Sequence, residues 1–297
     1  MAINSQVTVI IPTTCFFERK ISLLNAIRSA QEAAPGAVTV LVAVNGGCFD
    51  PGLVEYLKSR TDLKFIRFAE GSLAKTISLA RPLIRTEYFC FLDDDDELLP
   101  GSLVWRLATL QNNPAKDIVL SNGFVRKNGE DSTYLHHLAH VAHDPLRSFF
   151  KENWLPSCGG LFRSSTIGPE YFQDYHPYAE WSWLAFRLAM DKKQFCVLNE
   201  PTFRVHADTP SSLSKSPEYR NAYISLYQRM LDLTPPRHIR KILRRRLSQT
   251  HHDVSSLLLA EGKISNSVRH HLLSLRHPSG WRFLPYTRHI IVAALRK

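Results

Sequence analysis

Cysteine is sparse in this chain of 297 residues, and its placement has no pattern. Cys15, Cys48, Cys90, Cys158 and Cys196 are odd in number, scattered, and form no C-x-x-C. That excludes a disulfide framework or a thiolate zinc site as the organising device and suits a reducing compartment. No apolar run approaches the roughly 18 residues of a membrane-spanning helix. The start, MAINSQVTVI, has no basic segment leading into an apolar one, so no secretory leader is expected and a cytoplasmic protein is. Repeats and low-complexity segments are missing as well. A glycine-rich phosphate loop is also absent after the first apolar run, where Pro12-Thr13-Thr14-Cys15-Phe16-Phe17 stands instead.

Acid is scarce in one region. From Pro235 to Lys297 thirteen Lys and Arg are opposed only by Asp253 and Glu261, a net +11 against +10 for the whole chain. A nearly neutral body therefore carries a basic tail. The rest of the composition, 44% hydrophobic and 22% charged, is that of an ordinary globular protein with a full core.

The body alternates strand and helix signals. Val7 to Ile11 is a β-branched run stopped by Pro12, and Val38 to Val44 is a second run ended by Asn45-Gly46-Gly47. Apolar residues at Ile21, Leu24, Ile27 and Ala30 have a helical period, as do Leu73, Ile77, Ala80 and Ile84. Short strands are expected over 65–68, 88–92 and 118–120, and helices near 53–58, 100–111 and 180–190. This alternation predicts βαβ units and a mainly parallel sheet flanked by helices. From about Asn122 the pattern becomes irregular. Pro235-Pro236 reads as a boundary, giving a body over 1–234, with halves of about 1–122 and 123–234, and basic helices over 235–297.

In open α/β sheets ligands bind beyond the carboxyl ends of the strands. Three segments fall there: Pro12-Thr13-Thr14, Asn45-Gly46-Gly47 and Asp93-Asp94-Asp95-Asp96. Four adjacent acids after a buried strand are either a solvated turn or a cradle for a multivalent cation.

Val9 to Thr13, Val44-Asn45-Gly46, Gly71 to Ala80, Phe91 to Asp96, Glu180 before a Trp-rich helix, and Phe203-Arg204-Val205-His206 occur in one order. In that order and spacing the chain resembles a family 2 glycosyltransferase of the GT-A fold over about 7–215. The resemblance implies a metal-dependent, inverting transfer of a sugar from a nucleoside-diphosphate sugar, UDP-linked in the first instance. The acceptor would be a hydroxyl of a glycan or lipid-linked molecule, in cell-surface polysaccharide synthesis. It implies that Asp93 and Asp95, assisted by His206, hold Mn²⁺ or Mg²⁺. It also implies that Pro12, Thr13, Thr14, Asn45, Lys75 and Asp94 line the nucleotide site. Glu180 stands for the base, with Trp181 where the family commonly has a second acid, so the base is either Glu180 or lies elsewhere. Gly159, Gly160 and Trp181 are the candidates for acceptor contact.

The tail leaves alternatives open. Basic helices with Trp281 and Phe283 suit the surface of an anionic membrane, which would place the protein on its inner face. A solvated helical subdomain has the same letters, and no nucleic-acid motif accompanies them. Two functional rivals also stand: a nucleotidyltransferase, against which the missing glycine-rich loop weighs, and a catalytically degenerate GT-A domain used as a membrane- or nucleic-acid-associated binding module.

Overall fold

The computed structural model describes residues 5–208 and 217–295, with the side chains of 217–221 left out. It divides into two compact units, one of residues 1–176 and 180–211, the other of 177–179 and 212–297.

The first unit opens with β1 (Val7–Thr13), α1 (Lys20–Ala33), β2 (Val38–Asn45), α2 (Pro51–Ser59), β3 (Lys64–Phe68), α3 (Leu73–Ala80) and β4 (Tyr88–Phe91). Every residue of β1 is buried, which is why it reads as a continuous apolar run. Helix starts are capped locally. Asp50 accepts from Leu53 N at 2.7 Å with Pro51 behind it, and Ser72 accepts from Lys75 N at 3.3 Å. Such caps contribute about 1 kcal/mol each. Strands β3, β2, β1 and β4 lie side by side in parallel.

The acids follow, then β5 (Glu97–Leu98), α4 (Ser102–Gln111), β6 (Ile118–Lys127), β7 (Glu130–Thr133), α5 (Pro145–Phe149), β8 (Gly160–Arg163), α6 (Glu170–Gln173), α7 (Glu180–Met190) and β9 (Phe195–His206). One nine-stranded sheet has the order β3-β2-β1-β4-β8-β6-β9-β5, with β7 on β6. Strand β8 runs antiparallel to both β4 and β6, while β9 returns parallel to β6. The stretch that reads as irregular after Asn122 is thus strand to Lys127, followed by a hairpin. Its signal is weak because β6 is only half-buried after Gly123 and ends in Arg126-Lys127.

Behind the sheet Arg106 is a fully buried guanidinium. It donates to Cys158 O at 2.8 Å and to the Thr202 hydroxyl, so α4 is tied to the loop before β8 and to β9. A buried cation is tolerable only when its donors are matched in this way.

The second unit holds α8 (Pro217–Asp232), α9 (Arg237–Ala260), α10 (Ile264–Leu275) and α11 (Thr287–Leu295). Pro235-Pro236 lies between α8 and α9. The seam of α9 and α10 is built from serine, with Ser248, Ser255, Ser267 and Ser274 all buried. Ser248 Oγ donates to Ser274 O at 2.7 Å, and Ser255 and Ser267 exchange bonds onto each other's carbonyls at 2.8 Å. Small side chains satisfied by the facing backbone let two helices approach closely. Among the described residues no helix is long and apolar enough to cross a membrane.

Candidate active site

The four acids share a turn at the carboxyl end of β4, closed by Asp96 N donating to Asp93 O at 3.1 Å. Their side chains have different partners. Asp93 accepts from Ser157 Oγ at 2.7 Å. Burial first, then the Asp95 and Asp94 carboxylates, push its pKa up to about 7 against the Ser157 bond. Asp94 is buried and accepts from Thr13 Oγ1 at 2.5 Å and from Arg19. Burial raises its pKa although Arg19 and Thr13 favour the charged form. Asp95 is more open, 3.4 Å from the same Arg19 nitrogen. Asp96 is buried and accepts from His206 N at 3.0 Å; burial, then Asp93 and Asp95, hold its carboxyl well above the usual range.

The chain brings His206 to this turn through β5. Glu97 and Leu98 pair with Arg204 and Phe203, so the last residue of β9 lands beside Asp96. The His206 imidazole lies 3.6 Å from Glu97 Oε1, and Glu97 also meets Arg204 at 3.3 Å. The nucleotide-side candidates gather at the ends of β1 and β2. Pro12, Thr13 and Asn45 are buried, and Asn45 Nδ2 donates to Thr13 O at 3.0 Å. Thr14 is half-buried beside them. Gly46 follows at φ +88°, and a Cβ there would meet Gly71 Cα at 3.4 Å, so the end of β2 and the start of α3 approach closely. Lys75 is paired with Glu70.

Glu180 begins α7, where the helix dipole favours an acid. With Tyr175, Trp181 and Trp183 it lines a small pocket against Ala74 and Ile77 of α3. Trp181 packs edge-on to Phe91 at 5.1 Å, so the start of α7 is anchored two residues before Asp93. Gly159 and Gly160 are both buried. A Cβ would strike the Pro156 ring at 2.6 Å from Gly159 and the Phe162 ring at 2.9 Å from Gly160, which gives both glycines a packing reason.

A family model described as Glycosyl transferase family 2 matches residues 8–167, more than half of the chain. The chain belongs to glycosyltransferase family 2. It is therefore a glycosyltransferase, and its sheet is the GT-A sheet of that family. Similar solved structures include S. aureus TarS 1–349 with UDP-GlcNAc, at 16% identity over 84% of this chain and 73% of that one, TM-score 0.62. TarS 1–349 with UDP matches at 17% identity over 82% and 71%, TM-score 0.59. Against the longer TarS chain the match spans 43% of its length, at 16% identity and TM-score 0.59. A search of curated proteins finds no match.

In this glycosyltransferase the acid turn offers the oxygen donors that a hard cation takes. Its donors are carboxylate oxygens, and Asp93 and Asp96 are held where burial and mutual repulsion disfavour their charge. A nearby cation relieves that penalty. Among the described residues no group of three or more His, Cys, Asp or Glu side chains converges into a preformed ligand set. Asp93, Asp95 and His206 are thus brought to one turn without closing on one point. Carboxylate oxygens are nonetheless the donors that Mg²⁺ and Mn²⁺ prefer, and such ions take one or two protein carboxylates with phosphate and water completing the shell.

Sequence reasoning missed Ser157 and Arg19. Ser157 sits in a loop with no motif, 64 positions from the carboxylate it serves. Arg19 had a signal, a cation next to Lys20 in the segment that follows the first strand, at the strand end where ligands bind.

Proposed function

We propose that this glycosyltransferase moves a sugar from a nucleoside-diphosphate sugar to a hydroxyl of a glycan or lipid-linked acceptor, with inversion, in cell-surface polysaccharide synthesis. The observation that carries the reading is the acid turn. Three of its four carboxyls are individually anchored, by Ser157, by Thr13 with Arg19, and by the His206 backbone, while Asp95 remains the most open. The UDP-GlcNAc and UDP complexes of TarS support a uridine nucleotide as the first donor to test.

Asp93 and Asp95, with His206 beside them, hold Mn²⁺ or Mg²⁺, which when bound offsets charge on the departing diphosphate. Pro12, Thr13, Thr14 and Asn45 take the base and ribose. Asp94 keeps Thr13 and Arg19 in place, and Lys75 leaves Glu70 for the nucleotide. Trp181, Gly159 and Gly160 bound the acceptor side. Glu180 accepts the proton of the acceptor hydroxyl as its oxygen bonds to the anomeric carbon. The bond from that carbon to the diphosphate breaks in the same step, and the nucleoside diphosphate leaves with the electron pair. The protein works in the cytoplasm, with the basic tail in peripheral contact with anionic membrane.

Calorimetric titration with UDP, GDP, CDP and dTDP, with and without Mn²⁺, tests the donor side. One nucleotide should bind only with the cation, and Asp95→Ala should abolish that binding. Binding that ignores both changes removes the cation from the account. Glu180→Gln should then keep nucleotide affinity and lose transfer. Loss of nucleotide binding in that variant would sink the base assignment.

A further inference from the structure

The second unit carries an apolar surface that its own core does not cover. In the 3₁₀ stretch Gly280–Tyr286, Gly280 and Phe283 turn inward, whereas Trp281 and Leu284 are 72% and 56% exposed. Residues three apart eclipse one another in a 3₁₀ turn, so these two side chains stand on one face. Helix α11 continues the pattern. Only Ile290 is buried, while Ile291, Val292 and Leu295 at i, i+1 and i+4 are exposed on one side, Leu295 at 80%. Arg288 lies one turn before Ile291 and Val292 on the same side.

We propose that the face formed by Trp281, Leu284, Ile291, Val292 and Leu295, with Arg288, docks on the surface of an anionic lipid bilayer. The inference deepens the membrane contact in the functional reading above, naming the face that makes it. Charge complementarity selects the occupant. The segment 235–297 has thirteen basic residues against two acids, and anionic headgroups attract such a surface. The apolar side chains then enter the layer beneath the headgroups, where an aromatic ring with a polar edge such as Trp281 is favoured. A nucleic acid offers the phosphates but no apolar layer for Leu284, Ile291 and Leu295. Among the described residues no helix is long and apolar enough to cross the bilayer, so the contact lies at its surface.

The test uses the full chain and needs no donor sugar, so it fails or succeeds apart from the transfer reaction. Sedimentation is measured with vesicles of phosphatidylcholine alone and with about one third phosphatidylglycerol, at low and high salt. The anionic vesicles should bind the protein at least tenfold more tightly, with a blue shift of tryptophan emission that Trp281→Phe removes. The double variant Ile291→Ser with Leu295→Ser changes two exposed residues, so it should keep its melting temperature and lose at least tenfold in vesicle affinity. No sedimentation at low salt would overturn the proposal. So would equal binding by the double variant, because charge alone would then explain it. A dimer in light scattering that the double variant dissociates would overturn it too, assigning the face to a second copy of the chain.

Discussion

Acid should loosen the tail helices through one pair of histidines. His251 on α9 is 4% exposed, and its Nδ1 lies 3.1 Å from Nδ1 of His270 on α10. One ring must donate and the other accept, and charging both sets two donors against each other. Burial, then the neighbours His270 and His277, bring the His251 pKa from 6.5 down to about 4. Burial lowers His252, His270, His271 and His277 in the same direction, with Arg269 adding to it at His270 and Arg244 at His277. Between the two values the unfolded chain holds the extra proton, so stability rises with pH across that window. The contribution is intact above about pH 6.5 and is lost progressively as the pH falls toward 4. At pH 4.5 the His251 shift alone costs roughly 2–3 kcal/mol. Urea unfolding followed by helical circular dichroism, from pH 7.5 to 4.5, measures it on wild type and His251→Gln. The variant should lose roughly 2–3 kcal/mol less than wild type over that range. Equal losses would refute the reasoning, because the proton uptake would then have to lie elsewhere.

Gly123→Ala should destabilise the first unit, since a Cβ there would stand 2.4 Å from the fully buried Phe203 ring. Overpacking of this kind costs about 1–3 kcal/mol, and Phe203→Leu in the same chain should recover part of it, read as a melting temperature lying above the additive value. Additive losses would mean that the two sites do not press on each other. Ser157→Ala removes the one hydrogen bond that favours the charged form of Asp93. It should shift the acid limb of the rate profile to higher pH while leaving the melting temperature within a few degrees, and an unchanged profile would place Ser157 outside the mechanism.

The nucleotide-side half of the fold is legible because its signals are local. Strand β1 is a β-branched run that meets a proline, and α7 covers the predicted 180–190 because its acid start and apolar stripe lie within eleven residues. The second half is less legible because its order comes from pairing. Strand β9 keeps Glu200 and Pro201 inside it, and two register shifts against β6 absorb them, which no periodicity reveals. The acid turn stands out as letters, yet the fates of its members do not. Four identical residues differ because Ser157, Arg19 and His206 reach three of them from 64 to 110 positions away. Arg106 shows the same limit, since an arginine on an amphipathic helix reads as solvent-facing and here it is buried among carbonyl and hydroxyl acceptors. The serine seam of α9 and α10 was hidden because serines at a seven-residue spacing do not look like a core.

The pairing of β5 with β9 also governs when the site comes into existence. A chain emerging from the ribosome presents the four acids long before their last partner, because Asp96 waits for the amide of His206. Until β9 is laid beside β6, the Asp96 carboxylate lacks the amide that holds it, whereas the partners of Asp93 and Asp94 are already in the chain. Closure over so long a span makes this a late step of folding. Nascent chains that end before residue 195 therefore contain every acid of the turn, with Thr13, Arg19 and Ser157, but not the His206 amide that holds Asp96.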